Sequence, residues 1–307
     1  MQLSPKEVIV KSPLNFTGGK YKLLPQLLPL FPSNIDTFID LFCGGCNVAI
    51  NITANKTICN DIDLHLIGLF SFLKNCSFDE LFPKIKKVIK DYNLTDSPSH
   101  DYAYYNCNSA SGLGSYNKAG FIRLRNAFNK LENSDSNYYL FLYVLIVYAF
   151  NNQIRFNSNG DFNLPVGKRD FNLKMQNKLK LFLGKLEGKN ITFLNKDFTE
   201  IKPKKLSPKD FVYADPPYLI TCATYNEKRW NKDEEKRLLN YLDSLNENKI
   251  HFALSNVLST DNKKNEILID WLNKRKYNCY HLVFSYKNSS YHKKNISKTD
   301  EVLITNY

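Results

Sequence analysis

The stretch Phe211-Val212-Tyr213-Ala214-Asp215-Pro216-Pro217-Tyr218 decides how the fold is read. Four apolar residues run up to a hard stop, the pattern of a short, buried, parallel strand. Two prolines then fix φ and remove two N–H donors, so the strand end is rigid and its carbonyls are left to accept. Asp215 on one side and Tyr218 on the other frame a slot that suits a planar ring carrying an exocyclic amine. The carboxylate accepts from the amine, and the aromatic ring covers the face. A proline turn with a capping aspartate is the plainer alternative, and the rest of the chain has to choose between them.

Upstream lies Thr37-Phe38-Ile39-Asp40-Leu41-Phe42-Cys43-Gly44-Gly45-Cys46-Asn47-Val48-Ala49-Ile50-Asn51. It reads as a strand, a glycine turn and a helix around Cys46–Ala54. Such a turn lets a ligand approach the backbone closely, and a helix N-terminus behind it favours polar or anionic groups. It lacks the dinucleotide fingerprint and the phosphate-loop Gly-Lys-Ser/Thr, so alone it is a weak nucleotide signal. The next strand, Thr57-Ile58-Cys59-Asn60, ends at Asp61 and Asp63. An acid roughly 20 residues after such a turn is the usual partner of ribose hydroxyls. Before both stands a second glycine loop, Asn15-Phe16-Thr17-Gly18-Gly19-Lys20-Tyr21.

Strand and helix alternate through residues 1–75, with a helix at Asp63–Lys74. Residues 76–170 break the alternation. Helical spacing marks Phe78–Lys90, Lys118–Leu131 and Tyr138–Phe150 around a polar, tyrosine-rich segment, Ser97–Asn117, that is expected to be mobile. A helix at Met175–Leu186 follows. Strands return at Ile191–Leu194, Phe211–Ala214, Lys249–Leu254, Cys279–Phe284 and Glu301–Thr305, with helices at Lys232–Leu245 and Asn262–Lys274 between them. The expected fold class is α/β: a doubly wound, mostly parallel sheet, its ligand site at the carboxyl ends of the strands, with a helical insertion over them.

At 307 residues and 43% hydrophobic the chain has ample core for one large α/β domain plus an insertion. A net charge of +12 implies a polyanionic partner, although biased codon usage would also enrich Lys and Asn. There is no apolar stretch of membrane length and no signal-peptide core, so a cytoplasmic protein without a membrane partner is expected. Seven scattered cysteines read as reduced thiols. Cys43-Gly-Gly-Cys46 has no second Cys/His pair at ligand spacing, and no metal is expected.

Taken together these motifs resemble the Dam-type adenine-N6 DNA methyltransferases of the D12 class (alpha group), whose order is cofactor loop, glycine turn, target-recognition region, then D-P-P-Y. The likeness runs from about Phe16 to the last residues. Phe16-Thr17-Gly18-Gly19-Lys20 resembles the family's cofactor loop, and Asp61 falls on its ribose-binding acid. Arg155-Phe156-Asn157-x-x-Gly160-x-Phe162-Asn163-x-Pro165-x-Gly167 resembles its DNA-reading segment. Leu254-Ser255-Asn256 and Glu301-Val302-Leu303-Ile304 resemble family strands. One departure is Cys46, where the family commonly has a glycine that takes φ > 0 more cheaply.

The resemblance implies a Rossmann-like catalytic domain (1–75 and 171–307) that binds S-adenosylmethionine, and a DNA target-recognition domain inserted at 76–170. It implies that Phe16, Gly18, Gly19, Lys20, Asp40, Phe42, Gly44, Asp61 and Asp215 meet the cofactor. Asp197 either joins them or caps a turn. Asp215, Pro216, Pro217 and Tyr218 are the expected catalytic residues: N6 of a flipped adenine donates to the Asp215 carboxylate and the Pro216 carbonyl while Tyr218 stacks on the base. Among DNA contacts, Arg155 is the best base-reading candidate, because arginine pairs bidentately with guanine and Asn or Gln with adenine. Asn157, Asn163 and Pro165 lie in the same segment, which is otherwise a polar surface loop. Lys168, Arg169, Lys287, Lys293 and Lys294 are phosphate contacts or solvated charges. Expected partners are double-stranded DNA, with GATC the first site to consider, and, in a restriction–modification setting, an endonuclease acting without direct contact. The chain is expected to act as a monomer. Rival readings are a cytosine-N4 DNA methyltransferase, an RNA or protein amine methyltransferase, and an inactive DNA-binding protein on the same fold.

Overall fold

The computed structural model describes residues 8–16, 18–221, 230–261, 263–283 and 299–307. The chain forms two compact units, one comprising the described residues up to Gly19 with Gly44–Ile50 and Leu64–Lys189, the other Lys20–Cys43, Asn51–Asp63 and Asn190–Tyr307.

The second unit holds the whole sheet. Its strands are β1 (Ile35–Asp40), β2 (Ala54–Asn60), β3 (Ile191–Leu194), β4 (Phe211–Ala214), β5 (His251–Thr260), β6 (Lys263–Lys264), β7 (Asn278–Leu282) and β8 (Thr299–Thr305). The spatial order is β3-β2-β1-β4-β5-β8-β7, with β6 paired to β5. The first five strands of that order are parallel, as Ile39↔Ile58, Ile39↔Val212 and Val212↔Phe252 record. β8 runs antiparallel between β5 and β7. The fold class is therefore the expected one: α/β, doubly wound, with a mostly parallel sheet. Because β1 has β2 on one side and β4 on the other, the strand order reverses there. The carboxyl ends of β1 and β4 thus open the crevice where such sheets bind ligands.

The apolar runs explain the burial. All four residues of β4 are buried, and Ile39, Val212, Phe252, Leu254 and Ile304 share one core with Leu238, Leu242 and Leu268. The last three come from α7 (Lys232–Glu247) and α8 (Glu266–Asn273), each started by an asparagine cap, Asn231 and Asn265. A four-residue helix, α1 (Leu24–Leu27), also belongs to this unit.

The first unit is helical: α2 (Leu64–Lys74), α3 (Phe78–Asp91), α4 (Gly114–Phe128), α5 (Tyr138–Tyr148) and α6 (Leu173–Leu186). α3 begins with a capping box between Ser77 and Glu80. α5 is apolar all round and correspondingly buried. Ser97, at the start of the tyrosine-rich segment, donates from both its backbone N–H and its hydroxyl to buried Asp170 at 2.7 and 2.8 Å.

Two expectations are corrected. No helix forms over Cys46–Ala54: the segment makes turns and then enters β2. Cys46 sits at φ 56°, outside helical space, so the helix terminus expected behind the glycine turn does not exist. The helix expected from Asn262 starts only at Glu266, because Lys263–Lys264 pair with β5. Among the described residues no helix is long and apolar enough to cross a membrane. The end of the strand expected at Cys279–Phe284 falls on Phe284, outside the described residues.

Candidate active site

The strand that ends in D-P-P-Y delivers Asp215 into a compact charged cluster. Lys20, buried to 4% exposure, places Nζ 2.9 Å from Asp215 Oδ1 and 3.4 Å from Glu301 Oε1. The Tyr218 hydroxyl lies 3.0 Å from Asp215 Oδ1 and 3.1 Å from Glu301 Oε1, and the Lys20 ammonium stands 4.8 Å from the Tyr218 ring centroid. A phenol has one proton to give, so the two carboxylates share Lys20 and a single O–H. Burial pushes the Asp215 carboxyl above its usual range against the pull of Lys20, with Glu301 adding to the rise. Burial, then the Asp215 and Glu301 charges, drive the Tyr218 phenol well upward and keep it neutral. Behind them the Tyr213 hydroxyl is bonded to Ser255 at 2.8 Å. Pro216 is buried and Pro217 exposed.

The neighbouring strand ends carry the other expected residues of this unit. Asp40 closes β1 at 2% exposure. Phe42 packs its ring on Phe198 at 5.4 Å and edge-on to Trp230 at 5.5 Å. Asp61, half-buried beyond β2, accepts the Asp63 N–H at 3.0 Å. The Asn60 amide donates to the Leu41 and Lys196 carbonyls at 3.1 and 3.0 Å and fixes the loops after β1 and β3. Asp197 caps a turn: its Oδ1 accepts from Thr199 N at 2.9 Å and is paired with Arg237. Burial works to raise the Asp197 pKa, but the bonds from Arg237 and Thr199 outweigh it and hold the carboxyl below its usual range.

Trp230 is held by a buried carboxylate. Glu235, at 0% exposure, accepts from Trp230 Nε1 at 2.8 Å, Asn256 Nδ2 at 3.0 Å and Asn265 Nδ2 at 2.9 Å. This network joins α7, β5 and the cap of α8.

In the first unit the glycine turn serves a close packing partner. A Cβ on Gly44 would lie 2.9 Å from the Phe16 ring, and one on Gly45 3.0 Å from the Phe16 Cβ. What the turn admits is therefore Phe16. Gly18 is the opposite case: its φ of +79° calls for glycine, yet a Cβ there would meet nothing within 4 Å. The loop leaves open space beside its backbone. Cys46 is left-handed at φ 56° and buried to 1%.

The segment expected to read DNA forms a tight hairpin. Phe156 and Phe162 are bridged, Asn157 N–H donates to Asp161 O at 2.9 Å, and Gly160 turns the chain at φ 82°. The Asn157 side chain organises the loop by accepting from Asn159 N and Asp161 N at 3.0 and 2.8 Å. Arg155, exposed, donates from Nε to Asn163 Oδ1 at 2.8 Å and from Nη2 to the Asn163 carbonyl at 3.2 Å. Pro165 is exposed with its carbonyl accepting from Phe150 N at 2.9 Å, and the Lys168 carbonyl accepts from Leu113 N at 3.0 Å. The side chains of Lys168 and Arg169 are exposed; Lys287, Lys293 and Lys294 lie outside the described residues.

Glu301, Arg237 and Glu235 are the residues sequence reasoning missed as parts of a site. Glu301 had one signal, an acid directly before the apolar run Val302-Leu303-Ile304. Arg237 and Glu235 lie on a helix whose charges look like a solvated face.

The fold is an α/β sheet with a Lys20–Asp215–Tyr218 cluster at the carboxyl end of β4, and comparison with known proteins gives the family. Residues 16–282 match the D12 class N6 adenine-specific DNA methyltransferases. The chain belongs to that family. It is 42% identical over 305 residues to the type II methyltransferase M.FokI of Planomicrobium okeanokoites, covering 97% of this chain and 43% of that protein. To the modification methylase StsI of Streptococcus sanguinis it is 38% identical over 314 residues, 100% of this chain and 44% of that protein. To the modification methylase LlaI of Lactococcus lactis subsp. lactis it is 29% identical over 274 residues, 87% of this chain and 40% of that protein. The chain thus spans less than half the length of these curated relatives.

Proposed function

We propose that this chain transfers a methyl group from S-adenosylmethionine to N6 of adenine in a short site of double-stranded DNA. The observation that carries the reading is the half-buried Asp215 carboxylate, fixed by Lys20 and Tyr218 at the carboxyl end of β4. Family membership supports the reaction class.

The residues present suit the methyl donor. Asp61 offers a half-buried carboxylate at a strand end for ribose hydroxyls, and Lys20 brings a buried ammonium to the Asp215 carboxylate of the same unit. When bound, S-adenosylmethionine supplies a methyl group on a sulfonium. The rest is asked of the chain. Adenine N6 is a poor nucleophile because its lone pair is delocalised into the ring. Asp215 and the Pro216 carbonyl accept its two N–H bonds, draw the amine towards tetrahedral geometry and stabilise the positive charge that develops there. Asp215 Oδ1 is the atom that holds Lys20, so the incoming amine competes with the ammonium, and Glu301 offers Lys20 a second carboxylate 3.4 Å away. Tyr218 lines the flipped base, whose extrusion costs roughly a few kcal/mol. Holding amine and methyl in contact can supply about 7–11 kcal/mol, so no covalent intermediate is needed. The hairpin at Arg155–Asn163, within the insertion expected at 76–170, reads the site, and GATC is the first sequence to test.

The test is to incubate the protein with duplex DNA and methyl-labelled cofactor, digest, and identify the labelled base by mass. Labelled N6-methyladenine, lost in Asp215→Ala, is expected. N4-methylcytosine or an unlabelled product would overturn the reading.

A further inference from the structure

The hairpin pairs two residues expected to touch DNA, and their geometry divides the work between them. Arg155 and Asn163 face each other across it, the Asn163 N–H also donating to the Arg155 carbonyl at 3.2 Å. A guanidinium presents five N–H groups in a rigid plane. Its Nε–H and neighbouring Nη2–H form one side-on edge, and both are taken by Asn163, at 2.8 Å by the side-chain oxygen and at 3.2 Å by the carbonyl. What remains is the end-on edge, with both N–H groups of Nη1 and the second of Nη2. Because the group is planar, holding one edge aims the other.

The platform beneath is firm. Phe156 stacks on His65 with centroids 3.7 Å apart and planes at 15°, and His65 Nδ1 is bonded to the Tyr138 hydroxyl at 2.9 Å. Buried Phe162 has its N–H and carbonyl bonded to the Asn129 amide at 3.0 and 3.2 Å, and Arg125 donates to the Leu164 carbonyl at 3.1 Å. The hairpin is therefore tied to α4 on the strand that carries Asn163 and to α2 on the strand that carries Arg155.

We infer that Asn163 is a positioning residue for sequence readout: it occupies the side-on edge of Arg155 and leaves the end-on pair of donors set for the two acceptors of a guanine in the major groove. The inference rests on the proposed DNA methyltransferase function and deepens it. Ordering an exposed arginine at an interface costs roughly 0.5–1.5 kcal/mol, and Asn163 removes that cost before DNA arrives.

The experiment uses a pool of duplexes randomised around one adenine, methylated by wild type, Arg155→Ala, Asn163→Ala, Asn163→Asp and the double alanine variant, with sequence preference read position by position. Arg155→Ala is expected to lower preference for one G·C pair about tenfold or more. Asn163→Ala loses the side-chain bond to Nε and keeps the carbonyl bond to Nη2, so it should lower preference at that same pair by about 2- to 10-fold, at most the ordering cost of one side chain, with the preference pattern elsewhere unchanged. Asn163→Asp restores the acceptor and should restore the preference, and the double variant should be no worse than Arg155→Ala. A loss at a different pair would make Asn163 a direct reader. An equal loss on all duplexes would make it a backbone contact or a structural residue. Either result overturns the inference while leaving the methyltransferase reading intact. No change of pattern in Arg155→Ala overturns the readout as well, and absence of N6-methyladenine from the pool overturns the function itself.

Discussion

Replacing Glu235 with glutamine is nearly isosteric, yet it is expected to be among the most damaging single changes in the sheet unit. The carboxylate accepts three N–H donors and donates none. An amide has one oxygen to give. If that oxygen serves Asn256 and Asn265, the new NH2 points at the indole N–H of Trp230, donor against donor. If it serves Trp230, the NH2 points at two amide groups. Neither asparagine can flip to help, because each is oriented by its own oxygen: Asn256 Oδ1 accepts from Val257 N at 2.8 Å, and Asn265 Oδ1 from Leu268 N at 3.2 Å. The better orientation forfeits the Trp230 bond, about 1.5–3 kcal/mol for a charged acceptor, and weakens two others to neutral strength. The expected total is about 3–5 kcal/mol, a large share of the roughly 5–15 kcal/mol that holds a typical domain. Urea unfolding followed by tryptophan fluorescence measures it, Trp230 being one of two tryptophans in the chain. A loss under about 1 kcal/mol at unchanged m-value would refute the reasoning and mean that the network relaxes or admits water.

Other expectations follow from the same structure. Because burial and Glu301 raise the Asp215 pKa, activity that needs the carboxylate should fail on acidification above the ordinary Asp range; Glu301→Gln removes one upward push, so the acid limb of kcat/KM should move to lower pH, and an upward move would contradict the arrangement. Asp61→Ala should weaken S-adenosylmethionine binding by about 1–3 kcal/mol, read as a smaller melting shift than wild type at matched cofactor concentration. Glycine usually costs about 0.5–1 kcal/mol relative to alanine, but at the left-handed Cys46 the order should vanish or reverse, with Cys46→Gly melting no lower than Cys46→Ala. Tyr143 buries a hydroxyl with no hydrogen-bond partner among the described residues, so Tyr143→Phe should raise stability by about 1–2 kcal/mol, and a clear loss would show that a partner exists.

The parts of this molecule that were legible in its sequence are those governed by local pattern. Ile191–Leu194 and Phe211–Ala214 were readable to the residue because apolar runs end there at polar or proline stops. The helices of the first unit followed from apolar spacing, and Ser77 with Glu80 announces one of their starts. The segment after the glycine turn misled for a physical reason. Val48, Ala49, Ile50 and Ile52 are spaced as a helix would have them, but Cys46 is held left-handed and all four are buried by tertiary contacts. Periodicity reports which face is covered and says nothing of where a polar tip ends. Tyr218 was readable as an aromatic wall, whereas its hydroxyl partner Glu301 stands 83 residues away in the chain. The glycines of the turn were readable as a close approach, and Phe16 is one neighbour that they admit.

The position of β8 bears on the order in which the protein can be made. This strand is the last of the sheet in sequence, yet it lies between β5 and β7 and brings Glu301 to Lys20. A chain emerging from the ribosome presents Lys20 first and D-P-P-Y much later, and still cannot assemble the charged cluster. Until Thr299–Thr305 are released, β5 and β7 lack their common neighbour and their edges stand open. Pairings of such long range form slowly and leave exposed edges while they wait. The cluster of Lys20, Asp215, Tyr218 and Glu301 therefore cannot form before Thr299–Thr305 are made, and its assembly coincides with the pairing of β8 between β5 and β7.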